Sequence, residues 1–149
     1  MSEDAVVREQ RAPWHLWVIG IVVLLWDLMG AFDYFATQTQ NESYMSQFTP
    51  EQLEFFYGFP AWVVATWAIA VWGGLLGAVF LLLRRKWAEP VLLVSLVAMV
   101  ITSFHNFVLA DGWEMMGGVV PLLFTLVIFL VAVGVWLYAR AMVQRGVLR

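Results

Sequence analysis

The chain contains no cysteine, and charged residues make up only 13% of its 149 residues. The lack of cysteine excludes disulfide bonds, thiol redox chemistry and thiolate ligands to metals within this chain. The scarcity of charge is equally informative, because soluble globular domains carry about 25% charged residues. Hydrophobic residues make up 62% of the sequence instead. We therefore expect a single integral membrane domain over residues 1–149.

Four continuous apolar runs divide the chain into predicted membrane spans, which cover roughly residues 14–35, 60–83, 87–109 and 117–138. Each run is long enough to cross about 30 Å of hydrocarbon at about 1.5 Å per residue. The first run carries aspartates and lacks a small-residue cleavage site, which favours a retained helix over a signal peptide. The pattern predicts an all-α fold, a four-helix transmembrane bundle.

Two polar loops, residues 37–59 and 110–116, contain no lysine or arginine. The eight basic residues lie instead in the N-terminal tail, in the turn between the second and third spans, and near the C-terminus: Arg8, Arg11, Arg84, Arg85, Lys86, Arg140, Arg145 and Arg149. Cytoplasmic loops of membrane proteins carry the excess of lysine and arginine. Both termini and the Arg84 turn are therefore predicted to be cytoplasmic, and the two loops to face the opposite compartment.

The first of these loops contains a helix-start signal. Thr49 fits an N-cap, Pro50 fits the first helical position, and Gln52 fits the third position of a capping box. We expect a short surface helix at about residues 50–57. Its aromatic content indicates either an interfacial anchor on the membrane surface or a lid over a cavity, and both alternatives stay open.

Asp27 is the deepest ionisable residue in the predicted spans, about 10 Å from the outer surface when counted from Trp14. Ionisable groups in hydrocarbon cost a few kcal/mol, so each one is a functional candidate. We predict that Asp27 hydrogen-bonds with His105 or Asn106 in a pocket open to the outer compartment. The candidate substrate-binding residues are Asp27, Asp33, Tyr34, Thr66, Thr102, His105 and Asn106. The alternative is that these groups only form interhelical hydrogen bonds that set the helix register.

The second span carries small residues at four-residue spacing, including the step from Gly73 to Gly77. Small residues allow helix backbones to approach closely. The pattern predicts helix packing through these two glycines, either within the bundle or between copies of the chain.

Several chemistries lack the residues they would need. One core histidine with one or two carboxylates is a thin ligand set for zinc or copper, and His15 lies at the opposite surface from His105, which prevents bis-histidine haem ligation within one chain. The sequence has no phosphate loop, nucleophile motif, zinc-peptidase motif or dinucleotide fingerprint. We therefore expect no enzyme activity, no cofactor, no metal and no nucleic-acid partner.

Five stretches that together span nearly the whole chain carry a resemblance: PWHLWVIGI, GAFDYF, QFTPEQLEFFYGFPAWV, AVWGGLLGAVFLLLRRKWA and TSFHNFVL. They resemble a family of small four-span membrane proteins of proteobacteria, whose members are often labelled sugar transporters. The resemblance implies the four-span fold, a bacterial inner-membrane location and a hint of sugar transport. It implies no role for any individual residue.

Two functional hypotheses follow. The first is a small-solute, sugar-like permease or translocation component, which would need an oligomer because a single four-helix bundle is narrow. The second is a noncatalytic accessory or scaffold subunit of a larger membrane complex, in which the polar residues only set the helix register.

Overall fold

The computed structural model describes residues 11–115 and 117–149; Arg8 and Met116, which belong to the predicted tail and second loop, lie outside them. The predicted all-α four-helix bundle is confirmed: four helices are long and apolar enough to cross a membrane, and the described residues contain no strand. The long helices are α1 (Trp14–Gln38), α4 (Ala61–Leu82), α5 (Ala88–Phe104) and α7 (Val119–Gln144). The protein is therefore a multi-pass membrane protein.

Three short helices and one π-helical turn complete the fold: α2 (Glu42–Met45), α3 (Pro50–Tyr57), the π-turn (His105–Leu109) and α6 (Gly112–Met115). The π-turn continues α5 without a break, so the third membrane span covers Ala88–Leu109. The helix α3 begins with the capping box that the sequence predicts. The Thr49 hydroxyl accepts a hydrogen bond from the backbone amide of Gln52, and the Gln52 side chain accepts one from the backbone amide of Thr49.

The helix α4 occupies the middle of the bundle, where it packs against α1 and α5, and α5 in turn packs against α7. The end of the bundle that carries Trp14, the Arg84 turn and Arg149 is called here the basic side, and the end that carries α2, α3 and α6 is called the loop side. The main hydrophobic core lies toward the basic side, where Leu16, Leu81 and Ala139 from three different spans are fully buried.

Glycines allow close contact between neighbouring spans. A Cβ added to Gly73 would lie 3.1 Å from the Cβ of Ser95, and a Cβ added to Gly77 would overlap the Leu92 side chain. Both glycines therefore face α5 of the same chain, which is the first of the two alternatives that the spacing left open. A third close contact, between Gly20 and the Leu82 side chain, fixes the relative height of α1 and α4.

Candidate functional site

Asp27 lies on α1 where this helix packs against α4, near Ser95 of α5. Its carboxylate points toward Gly74: a Cβ added to that glycine would lie 3.2 Å from Oδ1 of Asp27 and 3.4 Å from Oγ of Ser95. The missing side chain of Gly74 thus leaves the space that the two polar groups share. Asp27 is half-buried, and it forms no hydrogen bond or ion pair with any residue that the structure describes. This junction of three spans holds a carboxyl without a partner.

The predicted hydrogen bond from Asp27 to His105 or Asn106 is wrong. Asp27 lies level with Ser95, and His105 is ten residues farther along the third span, which corresponds to about 15 Å. The error comes from counting depth from Trp14. Because Gly20 lies beside Leu82 at the end of α4, α1 starts more than one turn beyond the end of α4, and Asp27 is closer to the middle of the bundle than the count implied.

His105 opens the π-turn and is only 8% exposed. Its Nδ1 lies 3.1 Å from Oδ1 of Asn106, which accepts the hydrogen bond. The rings of Phe59 and Trp62 pack edge-on against the imidazole, with centroids 5.8 and 5.3 Å away. The carbonyl of His105 accepts a hydrogen bond from the Ala110 amide at 2.9 Å. His105 and Asn106 thus bond to each other, and aromatic rings enclose the imidazole.

Aromatic rings continue from His105 across the loop side of the bundle. This aromatic cap consists of Phe48, Phe55, Phe56, Phe59, Trp67 and Tyr34, each in edge-to-face contact with at least one other member. The helix α3 supplies two of these rings and contacts both α1 and α6. Tyr34, a predicted binding residue, packs its ring against Trp67 at 4.8 Å and Trp72 at 6.2 Å. The short helix therefore covers the end of the bundle.

Asp33 forms a hydrogen bond with Tyr44 in the first loop. The hydroxyl of Tyr44 in α2 donates to Oδ1 of Asp33, and this hydrogen bond ties α2 to the end of α1. Burial, together with the hydrogen bond and the negative charge of Asp33, raises the pKa of Tyr44 to about 12.

The raised pKa of Tyr44 predicts a pH dependence. The folded state favours the neutral phenol, so its contribution to stability is complete below the ordinary pKa of 10.0 and is lost as the pH rises toward 12. We expect the last tyrosine to titrate in a tyrosinate absorbance titration of the folded protein to be Tyr44, so this last step should be absent from Tyr44→Phe. An unchanged titration curve in that variant would assign the late step to another tyrosine.

Thr66 and Thr102 join α4 to α5. The Thr102 hydroxyl donates to Oγ1 of Thr66 at 2.9 Å, and Thr66 donates to the carbonyl of Val63 at 3.0 Å. Seven residues earlier on α5, about two turns deeper into the bundle, the hydroxyl of Ser95 donates to the Ala70 carbonyl at 2.5 Å. These hydroxyls satisfy one another or nearby carbonyls, which is the arrangement of interhelical bonds that set helix register.

A double-mutant cycle on Thr66→Val and Thr102→Val measures this bond. We expect a coupling free energy of about 0.6 kcal/mol, and at most roughly 2 kcal/mol, from thermal unfolding in detergent. Thr125 offers a matched control, because its hydroxyl bonds within its own helix, to the Pro121 carbonyl. Thr125→Val should show no coupling to Thr66→Val; equal coupling for both pairs would contradict an interhelical bond.

Two surface cavities lie near the ends of the bundle. One, of about 350 Å³ on the loop side, is lined by Phe32, Asn41, Ser43, Tyr44 and Gln47. The other, of about 210 Å³ on the basic side, is lined by Lys86, Trp87, Glu89, Pro90 and Val143. None of the seven predicted binding residues lines either cavity.

Sequence reasoning missed one polar pair on the basic side. The Nδ1 of His15 lies 2.5 Å from the hydroxyl oxygen of Tyr138, and this hydrogen bond joins α1 to α7. This pair could have been predicted from the sequence, because His15 and Tyr138 both fall at the basic end of their spans. The indole nitrogen of Trp136, half a turn away on α7, is buried without a hydrogen-bond partner among the described residues.

Within residues 11–115 and 117–149, no group of three or more histidine, aspartate or glutamate side chains is placed to hold a metal ion. Comparison with protein-family models, with curated proteins and with solved structures yields no match.

Proposed function

We propose that this protein is a noncatalytic accessory or scaffold subunit of a larger membrane complex. The observation that carries the proposal is that six of the seven candidate binding residues are occupied within the chain. Asp33, Thr66, Thr102, His105 and Asn106 are hydrogen-bonded, and Tyr34 is packed between two tryptophan rings. Side chains used in this way hold helices in register and leave few groups to contact a solute.

The partner surface in this proposal is α7. Only 6% of its most apolar stretch is buried within the chain, against 17 to 22% for the other three spans. Its outer face, which includes Leu130 at 66% exposure, is therefore the most available to a partner span. Dispersion and close packing drive association between helices in lipid. Binding of a partner span therefore depends on how well its surface fits the outer face of α7.

Affinity purification in mild detergent tests the proposal. We expect a second membrane protein in fixed ratio with the wild-type chain, and its loss in Leu130→Trp. Leu25→Trp is the matched control, because Leu25 is 58% exposed but lies on α1. Recovery of the wild-type chain as a free monomer, or equal loss of the partner in both variants, would contradict this role.

A second candidate function is small-solute translocation. The observation that favours it is that Asp27 has no bonding partner among the described residues. An ionisable side chain within a membrane span is a functional candidate by default, and Asp27 is the one predicted site residue left without a partner among the described residues. The loop-side cavity adds amide, hydroxyl and aromatic groups, which suit a sugar-like solute. Neither of the two cavities described above is lined by Asp27, and this candidate function places the path to it between copies of the chain. The resemblance to small proteobacterial proteins labelled sugar transporters agrees with this candidate.

Solute uptake into liposomes separates the two functions. Translocation predicts uptake of a labelled sugar by the wild-type protein and its loss in Asp27→Leu, with Glu51→Gln as a control that alters an exposed carboxylate of α3 outside the loop-side cavity. The scaffold role predicts no uptake with any of the three proteins.

We also propose that the basic side faces the cytoplasm of a bacterial inner membrane. The support is the charge asymmetry, since Arg84, Arg85 and Lys86 form the turn on one side while Glu42 and Glu51 lie in the opposite loop. The cysteine-free sequence makes the test simple. An impermeant maleimide should label Glu42→Cys in intact cells and Arg85→Cys only after permeabilisation; the reverse pattern would overturn the orientation.

A further inference from the structure

The basic-side cavity contains opposite charges that do not pair. Lys86, in the turn before α5, and Glu89, in the first turn of α5, both line it. Neither side chain forms an ion pair or hydrogen bond with any residue in the described part of the chain. A shallow cleft that presents one cation and one anion is complementary to a ligand that carries both charges.

The rest of the cleft is apolar and opens onto a track along α5. Trp87, Pro90 and Val143 complete its lining. From Trp87 the exposed residues continue at helical spacing through Pro90, Val94, Val97 and Ile101, so that one apolar stripe runs from the cleft toward the middle of the membrane. Trp87 is 61% exposed at the end of its span, where indole rings favour the headgroup level.

The backbone around Lys86 is held in place. The Lys86 amide donates to the carbonyl of Arg149 at 2.8 Å, and the Arg149 amide donates to the carbonyl of Arg84 at 2.9 Å. Val147 and Leu148, which lead into this contact, are buried in the core. A preformed turn lowers the ordering cost of binding.

We propose that this cleft binds the headgroup of a phosphoethanolamine lipid. The ammonium of Lys86 donates to the lipid phosphate, the carboxylate of Glu89 accepts from the ethanolamine ammonium, and an acyl chain follows the stripe from Pro90 to Ile101. The volume of about 210 Å³ suits a headgroup, because it falls below the roughly 300 to 1,000 Å³ of typical small-molecule pockets. The apolar stripe selects a membrane lipid over a soluble phosphate ester.

Lipid titration of the delipidated full-length protein, followed by native mass spectrometry, tests the assignment. Phosphatidylethanolamine, phosphatidylglycerol and phosphatidylcholine with the same acyl chains are compared. We expect the tightest binding for phosphatidylethanolamine, because the choline headgroup lacks N–H donors and glycerol lacks the positive charge. Soluble glycerophosphoethanolamine should bind at least about tenfold more weakly, because it lacks the acyl chains; equal binding would overturn the assignment to a lipid.

Two variants separate the roles of the charges. Glu89→Gln should lower the affinity for phosphatidylethanolamine about tenfold and leave that for phosphatidylglycerol unchanged, since it removes one charge-assisted hydrogen bond. Lys86→Gln should weaken both lipids. Arg85→Gln is the matched control, because Arg85 is an adjacent exposed cation that does not line the cleft. Equal binding of the three lipids to the wild type, or equal losses in Arg85→Gln and Lys86→Gln, would overturn the proposal.

Discussion

Replacing Asp27 by leucine is expected to raise the stability of the folded protein by about 2 to 3 kcal/mol. On insertion scales an aspartate at the centre of a membrane helix costs about 2.5 to 3.5 kcal/mol, while leucine is slightly favourable. No hydrogen bond within the described residues offsets this cost. Leucine is close to aspartate in length, so the space beside Gly74 can accept it with little repacking. Thermal unfolding in detergent, followed by tryptophan fluorescence, measures the change.

Asp33→Leu is the matched control for this prediction. It also removes a carboxylate from α1, but it breaks the hydrogen bond that Tyr44 donates, so we expect no gain in stability and a small loss. A lower unfolding temperature for Asp27→Leu would show that the carboxylate has a stabilising partner. Combined with the liposome assay, a more stable variant that has lost uptake would assign Asp27 to translocation, because functional residues are commonly kept at a cost in stability.

Gly77→Val should destabilise the protein by about 1 to 3 kcal/mol. A Cβ at this position overlaps the Leu92 side chain, and two further methyl groups would enlarge the overlap where α4 and α5 are in close contact. Overpacking of this kind forces side chains off their rotamers or moves the helices apart. The unfolding temperature of the purified chain should therefore fall, and the Thr66–Thr102 bond on the same interface should weaken with it.

Gly30→Val serves as the control for Gly77→Val. Gly30 also lies within a membrane span, but a Cβ there would meet no heavy atom within 4 Å. The same change should leave the unfolding temperature nearly unchanged. Equal losses in the two variants would mean that β-branching in the helix, and not contact with Leu92, accounts for the effect.

Local chemistry explains which helix ends could be predicted. The capping box at Thr49 places the start of α3 correctly, because it consists of contacts within four residues. The ends of the long spans are harder to predict. The helix α1 continues to Gln38 and α7 continues to Gln144, beyond the predicted ends at residues 35 and 138. Hydropathy marks where hydrocarbon ends, whereas a helix can continue into the polar interface with its backbone bonds intact.

The depth of the polar residues could not be predicted from counting. The sequence predicts a hydrogen bond from Asp27 to His105 or Asn106, yet the structure places Asp27 and His105 at different levels of the bundle. The offset of α1 against α4 depends on the Gly20–Leu82 contact, and the position of His105 depends on the π-turn that inserts it among aromatic rings. Both features arise from packing between residues that are far apart in sequence.

The sequence by itself determined the all-α class, the number of spans and the helix start at Thr49, because hydrophobic runs and capping residues act within a few turns of one helix. Tertiary structure alone decided which polar groups meet: Thr66 with Thr102, Asp33 with Tyr44, and Asp27 with no described partner. The physical reason is that a shift of one turn between packed helices moves a side chain about 5.4 Å, beyond hydrogen-bond reach, without changing hydropathy at all.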